Sequence, residues 1–175
     1  MMCTVPAVGA ALASTTALPD LTMNAPTASL DSLDPNASLR LDGRVAIVTG
    51  AGAGLGRAHA LLLASRGAKL VVNDLNLAPA EAVVAEIRAA GGEAIAAAGS
   101  VTDEAAVQAM VAQTLAQWGR IDILVNNAGI LRDKSFAKMT LDDFRLVVDV
   151  HLMGAVVCTK AVWETMRAQQ FGRIV

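Results

Sequence analysis

Residues 45–56 read Val-Ala-Ile-Val-Thr-Gly-Ala-Gly-Ala-Gly-Leu-Gly, an unalternating apolar run that breaks into glycines and then enters an Ala/Leu stretch, 58–64, with no helix breaker. Four apolar residues in a row suit a strand covered on both faces, as in the centre of a parallel sheet. Gly50, Gly54 and Gly56 permit a tight turn, leave no Cβ between the backbone and a pyrophosphate, and let the following helix pack close to the strand. The helix start then presents unpaired N–H groups and the positive end of its dipole to an anion. Strand, turn and helix stand in the order that a dinucleotide cradle requires.

A glycine triplet alone is a weak signal, because similar turns cap ordinary helices and bind other phosphates or S-adenosyl groups. A P-loop would need Lys and then Ser or Thr after its last glycine, whereas Gly56 is followed by Arg57-Ala58. A second apolar run, Leu70-Val71-Val72, ends in Asn73-Asp74, close to where a dinucleotide fold places its acidic residue. Asp74 can accept hydrogen bonds from an adenosine ribose and would repel a 2′-phosphate. Neither Asn73 nor Leu75 offers a cation, so the expected cofactor is NAD rather than NADP, with Arg57 the one nearby cation against it.

The chain has 175 residues, 54% hydrophobic and 17% charged, which is ample for one domain with a sizeable core. Its net charge of −2 leaves no basic footprint, so nucleic acid is not an expected partner. Arg, Lys, Asp and Gly recur throughout, and no membrane span is expected. Cys3 and Cys158 fit no metal spacing and read as free thiols of a reducing compartment, the cytoplasm, with Cys158 a small core residue. Residues 1–39 differ in kind. They are rich in Ala, Ser, Thr, Leu and Pro with no Lys or Arg, and read as a flexible extension with Met23 as an alternative start. The folded domain is expected over 40–175.

Beyond Asp74, residues 79–90 read as a helix closed by Gly91-Gly92, 94–98 as a strand, and the next stretch to Trp118-Gly119 as a helix capped by Ser100 or Thr102. Residues 121–125 form a fourth strand. Thr140 caps a long helix with Asp143 at its third position, Met139 is placed to staple onto Phe144, and Gly172 closes the helix before a fifth strand at 173–175. Its expected buried face is Phe144, Val147, Val148, Leu152, Val156, Ala161 and Val162, weakened by Gly154. Strands alternating with helices imply an α/β fold, a doubly wound parallel sheet with right-handed crossovers. Ligands in such sheets bind beyond the carboxyl ends of the strands, where residues 49–56 and 126–129 both lie.

Thr49-Gly50 to Gly56, Asp74 and Asn126-Asn127-Ala128-Gly129 together resemble the short-chain dehydrogenase/reductase family over residues 41–175. The stretches 50–58, 71–75, 126–133 and 150–154 are similar to the hydroxyacyl-CoA dehydrogenase unit of peroxisomal-type multifunctional enzymes and their bacterial relatives. The resemblance implies a Rossmann-type sheet, here reaching only the start of its fifth strand. By it, Gly50, Gly54, Leu55 and Gly56 would cradle the pyrophosphate and Asp74 would take the ribose. Asn127 and Gly129 would meet the cofactor through the backbone, and Asn126 would tie neighbouring strands. Ser100 and Val101 stand where family members carry an Asp-Val pair toward adenine, and would supply backbone contacts or a hydroxyl. His151 replaces the family's relay Asn, whose main-chain carbonyl holds a water; packing or exposure explains a lone helical His equally well, and His59 reads as a surface residue.

The implied chemistry is reversible hydride transfer between nicotinamide and a carbonyl or secondary alcohol. A 3-hydroxyacyl thioester is the subgroup's substrate, with steroids, sugars and other small alcohols open. The family's proton partner is a Tyr with a nearby Lys, beside a substrate-orienting Ser. This chain has no Tyr, and Lys134, Ser135 and Lys160 lie in the wrong segments to replace that set. The expectation is therefore the N-terminal, cofactor-binding part of an oxidoreductase, inactive alone, whose full-length form the family suggests to be a homo-oligomer. The alternatives are a non-catalytic nucleotide-binding or interaction protein and a methyltransferase-like unit.

Overall fold

The computed structural model describes residues 39–175. The expected extension, with Cys3, Met23 and its prolines, lies outside the described residues apart from Leu39. In chain order the elements are β1 (Val45–Val48), α1 (Gly54–Ser65), β2 (Lys69–Asp74), α2 (Leu77–Ala89), β3 (Ala94–Ala98) and α3 (Glu104–Trp118). There follow β4 (Ile123–Val125), α4 (Leu141–Val148), α5 (Gly154–Ala168) and β5 (Arg173–Ile174), with a widened helical turn, Asp149–Met153, joining α4 to α5.

The five strands form one parallel sheet in the order β3-β2-β1-β4-β5, the doubly wound α/β arrangement expected from the sequence. Its central strand shows why the apolar run does not alternate. Ala46 and Val48 pack with Ala60, Val83 and Ile87 of α1 and α2, while Ile47 packs on the opposite face with Val107, Met110, Cys158 and Val162 of α3 and α5. Both faces are dry, and all four β1 residues are fully buried. Burial of each Val or Ile there contributes about 2 kcal/mol relative to exposure. Cys158 is the expected core residue, its thiol pushed up to about 11 by burial.

Several boundaries differ from the sequence expectation for local reasons. Helix α2 begins at Leu77, which makes Pro79 its third residue, still within the first turn where a missing N–H costs no helical bond. It ends as expected at Gly91 (φ 85°), with Gly92 N–H donating to the Ile87 carbonyl at 2.9 Å. The cap of α3 is neither Ser100 nor Thr102 but Asp103, whose Oδ1 accepts from Ala105 N at 2.9 Å and Ala106 N at 3.2 Å. Strand β4 begins two residues late, the Ile121 N–H and carbonyl being held by the Gln169 side chain at 3.0 and 2.7 Å, and the next residue, Asp122, anchors the strand's start. Its buried carboxylate accepts from Val45 N at 3.0 Å, Arg44 Nη1 at 2.9 Å and Arg120 Nε at 2.7 Å. Burial works to raise the Asp122 carboxyl, but Arg120, the Val45 N–H and Arg44 outweigh it and hold it below the ordinary carboxylate range.

The last helix departs most. Its start is the expected one, a reciprocal cap in which Asp143 N donates to Thr140 Oγ1 and Thr140 N to Asp143 Oδ2. Lys134 and Thr140 hold the Asp143 carboxyl down to about 2. The buried stripe of α5, however, is Gly154, Cys158, Val162 and Met166, whereas Phe144, Leu152 and Val156 are exposed. Gly154 N–H reaches back five residues to the Asp149 carbonyl, so the widened turn shifts the apolar stripe of α4 out of phase with that of α5. The helix closes on Gln170 (φ 53°), with Phe171 N–H on the Met166 carbonyl, rather than on Gly172. Gly172 is needed for packing, since a Cβ there would lie 2.5 Å from Met166 Sδ.

Leu141–Ala168 is a 28-residue helix that is long and apolar enough, by length and composition alone, to cross a membrane. Here Cys158, Val162 and Met166 pack against the sheet, and Asp149, His151 and Lys160 interrupt the run.

Candidate functional site

The sheet order reverses between β1 and β4, so the segments leaving these two strands diverge and a crevice opens beyond their carboxyl ends. Thr49 stitches its two sides together. Its buried Oγ1 accepts from Asn127 N and Ala128 N, both at 3.0 Å, and donates to the Val125 carbonyl at 3.3 Å. Asn127 answers from the other side, its Nδ2 donating to the Thr49 carbonyl at 2.9 Å and the Gly50 carbonyl at 3.1 Å. Gly50 has φ 61°, and a Cβ on it would lie 2.9 Å from the Ala128 Cα. The two loops therefore meet backbone to backbone.

Asp74, at the end of β2, ties down the middle of the glycine turn. Its Oδ2 accepts from Gly52 N at 3.0 Å and its Oδ1 from Asn76 N at 3.3 Å. Each carboxylate oxygen retains a lone pair for a further donor. Gly52 leaves room for this, since a Cβ there would lie 2.6 Å from Pro79 Cβ and 2.7 Å from Asp74 Oδ2. Asn73, buried beside Asp74, donates through Nδ2 to the Ala97 and Gly99 carbonyls at 3.1 and 3.2 Å, fixing the β3–α3 loop.

Between these loops lies an open cleft of about 270 Å³ that brings together Gly50, Asp74, Ser100, Val101, Asn127 and Gly129, with Ile130 and Val150 completing its wall. Gly54 and Leu55 stand outside this lining, at the exposed start of α1. No side chain caps that helix and no acid occupies its first turn, so its leading N–H groups are free to meet an anion. Gly56 has the close-packing role expected of the third glycine. It is buried, and a Cβ there would collide with the Gly50 carbonyl and stand 2.5 Å from Asn127 Nδ2. Its work is to let α1 close up beneath the turn.

Arg57, the one nearby cation that weighs against NAD, is engaged by Glu86 of α2 through both its Nε and Nη2. The guanidinium holds the Glu86 carboxyl below its ordinary range. Ser100 Oγ accepts from Thr102 N at 3.2 Å and shares a 2.8 Å hydrogen bond with Thr102 Oγ1. Asn126 ties β4 to β5 through its backbone N–H on the Val175 carbonyl, but its side chain turns to α5, where Nδ2 donates to Thr159 Oγ1 at 3.4 Å. Its buried Oδ1 has no protein partner among the described residues. His59 is exposed, as expected. The His151 ring lies against Gly129, with Nε2 3.0 Å from the Ile130 N and 2.9 Å from its carbonyl oxygen. Thr49 opens the motif, but its stitching role, like the roles of Gly52 and Asn73, was not assigned from sequence, because these contacts join segments far apart in the chain.

A family model described as short chain dehydrogenase matches residues 44–175. The chain belongs to the short-chain dehydrogenase family. It is 54% identical over 146 residues to peroxisomal multifunctional enzyme type 2 of Drosophila melanogaster, covering 78% of this chain and 24% of that protein. It is 48% identical over 136 residues to the 3-oxoacyl-[acyl-carrier-protein] reductase of a Synechocystis strain, covering 77% and 55%. Among solved structures it is similar to a hydroxysteroid dehydrogenase from Escherichia coli, with TM-score 0.75, 39% identity, and 78% and 57% of the two chains covered. A short chain dehydrogenase from Mycobacterium avium gives TM-score 0.70 at 41% identity, with 76% and 51% covered. The chain thus spans about a quarter of the length of the Drosophila relative and little more than half of the others. Short-chain dehydrogenases are oxidoreductases, and Gly50, Asp74, Asn127 and Gly129 of the motifs meet at the cleft that the parallel sheet creates.

Proposed function

We propose that this cleft binds NAD and that the residues present supply the cofactor-binding half of an oxidoreductase acting on a carbonyl or secondary alcohol. The observation that carries the cofactor reading is the Asp74 carboxylate at the cleft wall, with Arg57 retained by Glu86, so that a ribose diol finds an acceptor and a 2′-phosphate finds an anion. The uncapped start of α1 at Gly54 and Leu55 suits a pyrophosphate, and the backbone at Asn127 and Gly129, with Ser100 and Val101 opposite, suits the nucleoside. When bound, the nicotinamide would supply hydride chemistry. The chain's own side chains orient it: Asp74 accepts, the Thr49–Asn127 stitch holds the two loops at their spacing, and the buried glycines admit the backbone.

The substrate reading is a 3-hydroxyacyl or 3-oxoacyl thioester, supported by what the relatives' names say of those proteins. Nε2 of His151 is engaged by Ile130, and the family resemblance gives this residue's part in a proton relay to its main-chain carbonyl. The exposed apolar side chains Leu152, Val156 and Trp163 support a homo-oligomer through α5, and the free thiol of Cys158 suits the cytoplasm. Calorimetric titration with NAD, NADP and S-adenosylmethionine tests the central claim. NAD is expected to bind at least about tenfold tighter than NADP, a difference of about 1.4 kcal/mol. Binding of S-adenosylmethionine without NAD would refute it.

A further inference from the structure

We propose that the widened turn Asp149–Met153, together with Gly154 that follows it, is a brace that sets the width of the cleft by packing against both of its walls. The inference rests on the reading of the cleft as a cofactor site and extends it to residues outside the glycine turn.

Two glycines, Gly129 on the cleft wall and Gly154 at the start of α5, make room for one contact each. On the β4 side, a Cβ at Gly129 would lie 2.6 Å from Cε1 of His151, so Gly129 is small because the imidazole must come this close. The ring then meets Ile130, its Nε2 within 3.0 Å of both the N–H and the carbonyl oxygen. With the ring proton on Nδ1 it accepts from the amide; with the proton on Nε2 it donates to the carbonyl. Either tautomer grips the same residue of the wall. On the β3 side, a Cβ at Gly154 would lie 2.5 Å from Cγ2 of Val101, a buried residue that lines the cleft. Val150, the residue before His151, lines the cleft itself.

The helical widening makes this reach possible. In a regular α-helix, residues three apart project about 60° from one another and would address one neighbour. Here Gly154 N–H bonds back to the Asp149 carbonyl, five residues away, which opens that angle and lets His151 and Gly154 serve different walls. Gly154 is therefore a spacing residue, and its cost to helix propensity is the consequence.

The test uses the full chain with two readouts, NAD affinity by calorimetry and amide hydrogen exchange at Ile130. Gly154→Ala is expected to push Val101 into the cleft and weaken NAD binding by about tenfold, whereas in a Val101→Ala background, measured against Val101→Ala alone, the same change is expected to cost no more than about twofold. His151→Ala is expected to speed exchange of the Ile130 amide by about tenfold, with His151→Asn, which keeps a donor and an acceptor, recovering part of the protection. His151 is exposed, so this variant reads out even if Gly154→Ala fails to fold. A folded Gly154→Ala with unchanged affinity, an equal loss in the Val101→Ala background, or unchanged Ile130 exchange in His151→Ala would each overturn the brace. Altered Ile130 exchange in a chain that binds no NAD would support the brace and overturn the cofactor reading instead.

Discussion

Replacing Thr49 separates hydrogen bonding from packing at the junction of the two loops. Thr49→Val keeps the shape and removes the hydroxyl. Asn127 N retains the Val125 carbonyl at 3.0 Å, but Ala128 N loses its 3.0 Å acceptor, and Val125 loses the donated bond. One orphaned donor and one weakened donor in a part-buried setting cost about 2 kcal/mol. Thr49→Ser keeps the hydroxyl and deletes one buried methyl, a loss of about 1 kcal/mol. The more hydrophobic substitution is thus expected to be the more damaging, by about 1 kcal/mol, with melting temperatures lowered by about 4–8 °C for Val against about 2–4 °C for Ser. Urea unfolding followed by circular dichroism and by fluorescence of Trp118 and Trp163 gives both free energies if the slope with denaturant is unchanged. A Ser variant as unstable as the Val variant would show that the methyl, and not the hydroxyl stitch, carries the junction.

Two further outcomes follow from the geometry. The Asp122 carboxyl is held below its unfolded value near 3.9, so its stabilisation is complete above that pH and is lost as pH falls through the lower folded value. Asp122→Asn is expected to cost about 2 kcal/mol at neutral pH, with the gap from the parent chain closing below about pH 4; a gap independent of pH in unfolding titrations would sink the assignment. Gln170 holds a left-handed backbone at φ 53° without being glycine. Gln170→Gly is expected to raise the unfolding free energy by about 1 kcal/mol, and a lower melting temperature would count against the strain.

The nucleotide fold was legible because its signals are local: the unalternating run at 45–48, the glycines at 50, 54 and 56, and the acid ending β2 each follow from a few neighbouring residues. Capping was less so. Ser100, Thr102 and Asp103 are all competent caps, and only the path of the chain leaving β3 selects Asp103. The face of α5 was not legible at all, since one helical period run through 144–162 cannot contain a turn with five-residue hydrogen bonding.

By itself, then, the sequence determined the order of the elements, the parallel sheet and the place of the cleft, because these depend on periodicity and on which residues tolerate a tight turn. Tertiary structure decided what each glycine is for. Gly56 and Gly154 are small because of residues that come near only when the chain is folded, the Gly50 carbonyl with Asn127 in one case and Val101 in the other. It also decided that Arg57 faces Glu86 rather than a phosphate, and that His151 holds Ile130. The last two contacts join segments 29 and 21 residues apart, set by how helices pack against the sheet, and no local pattern encodes them.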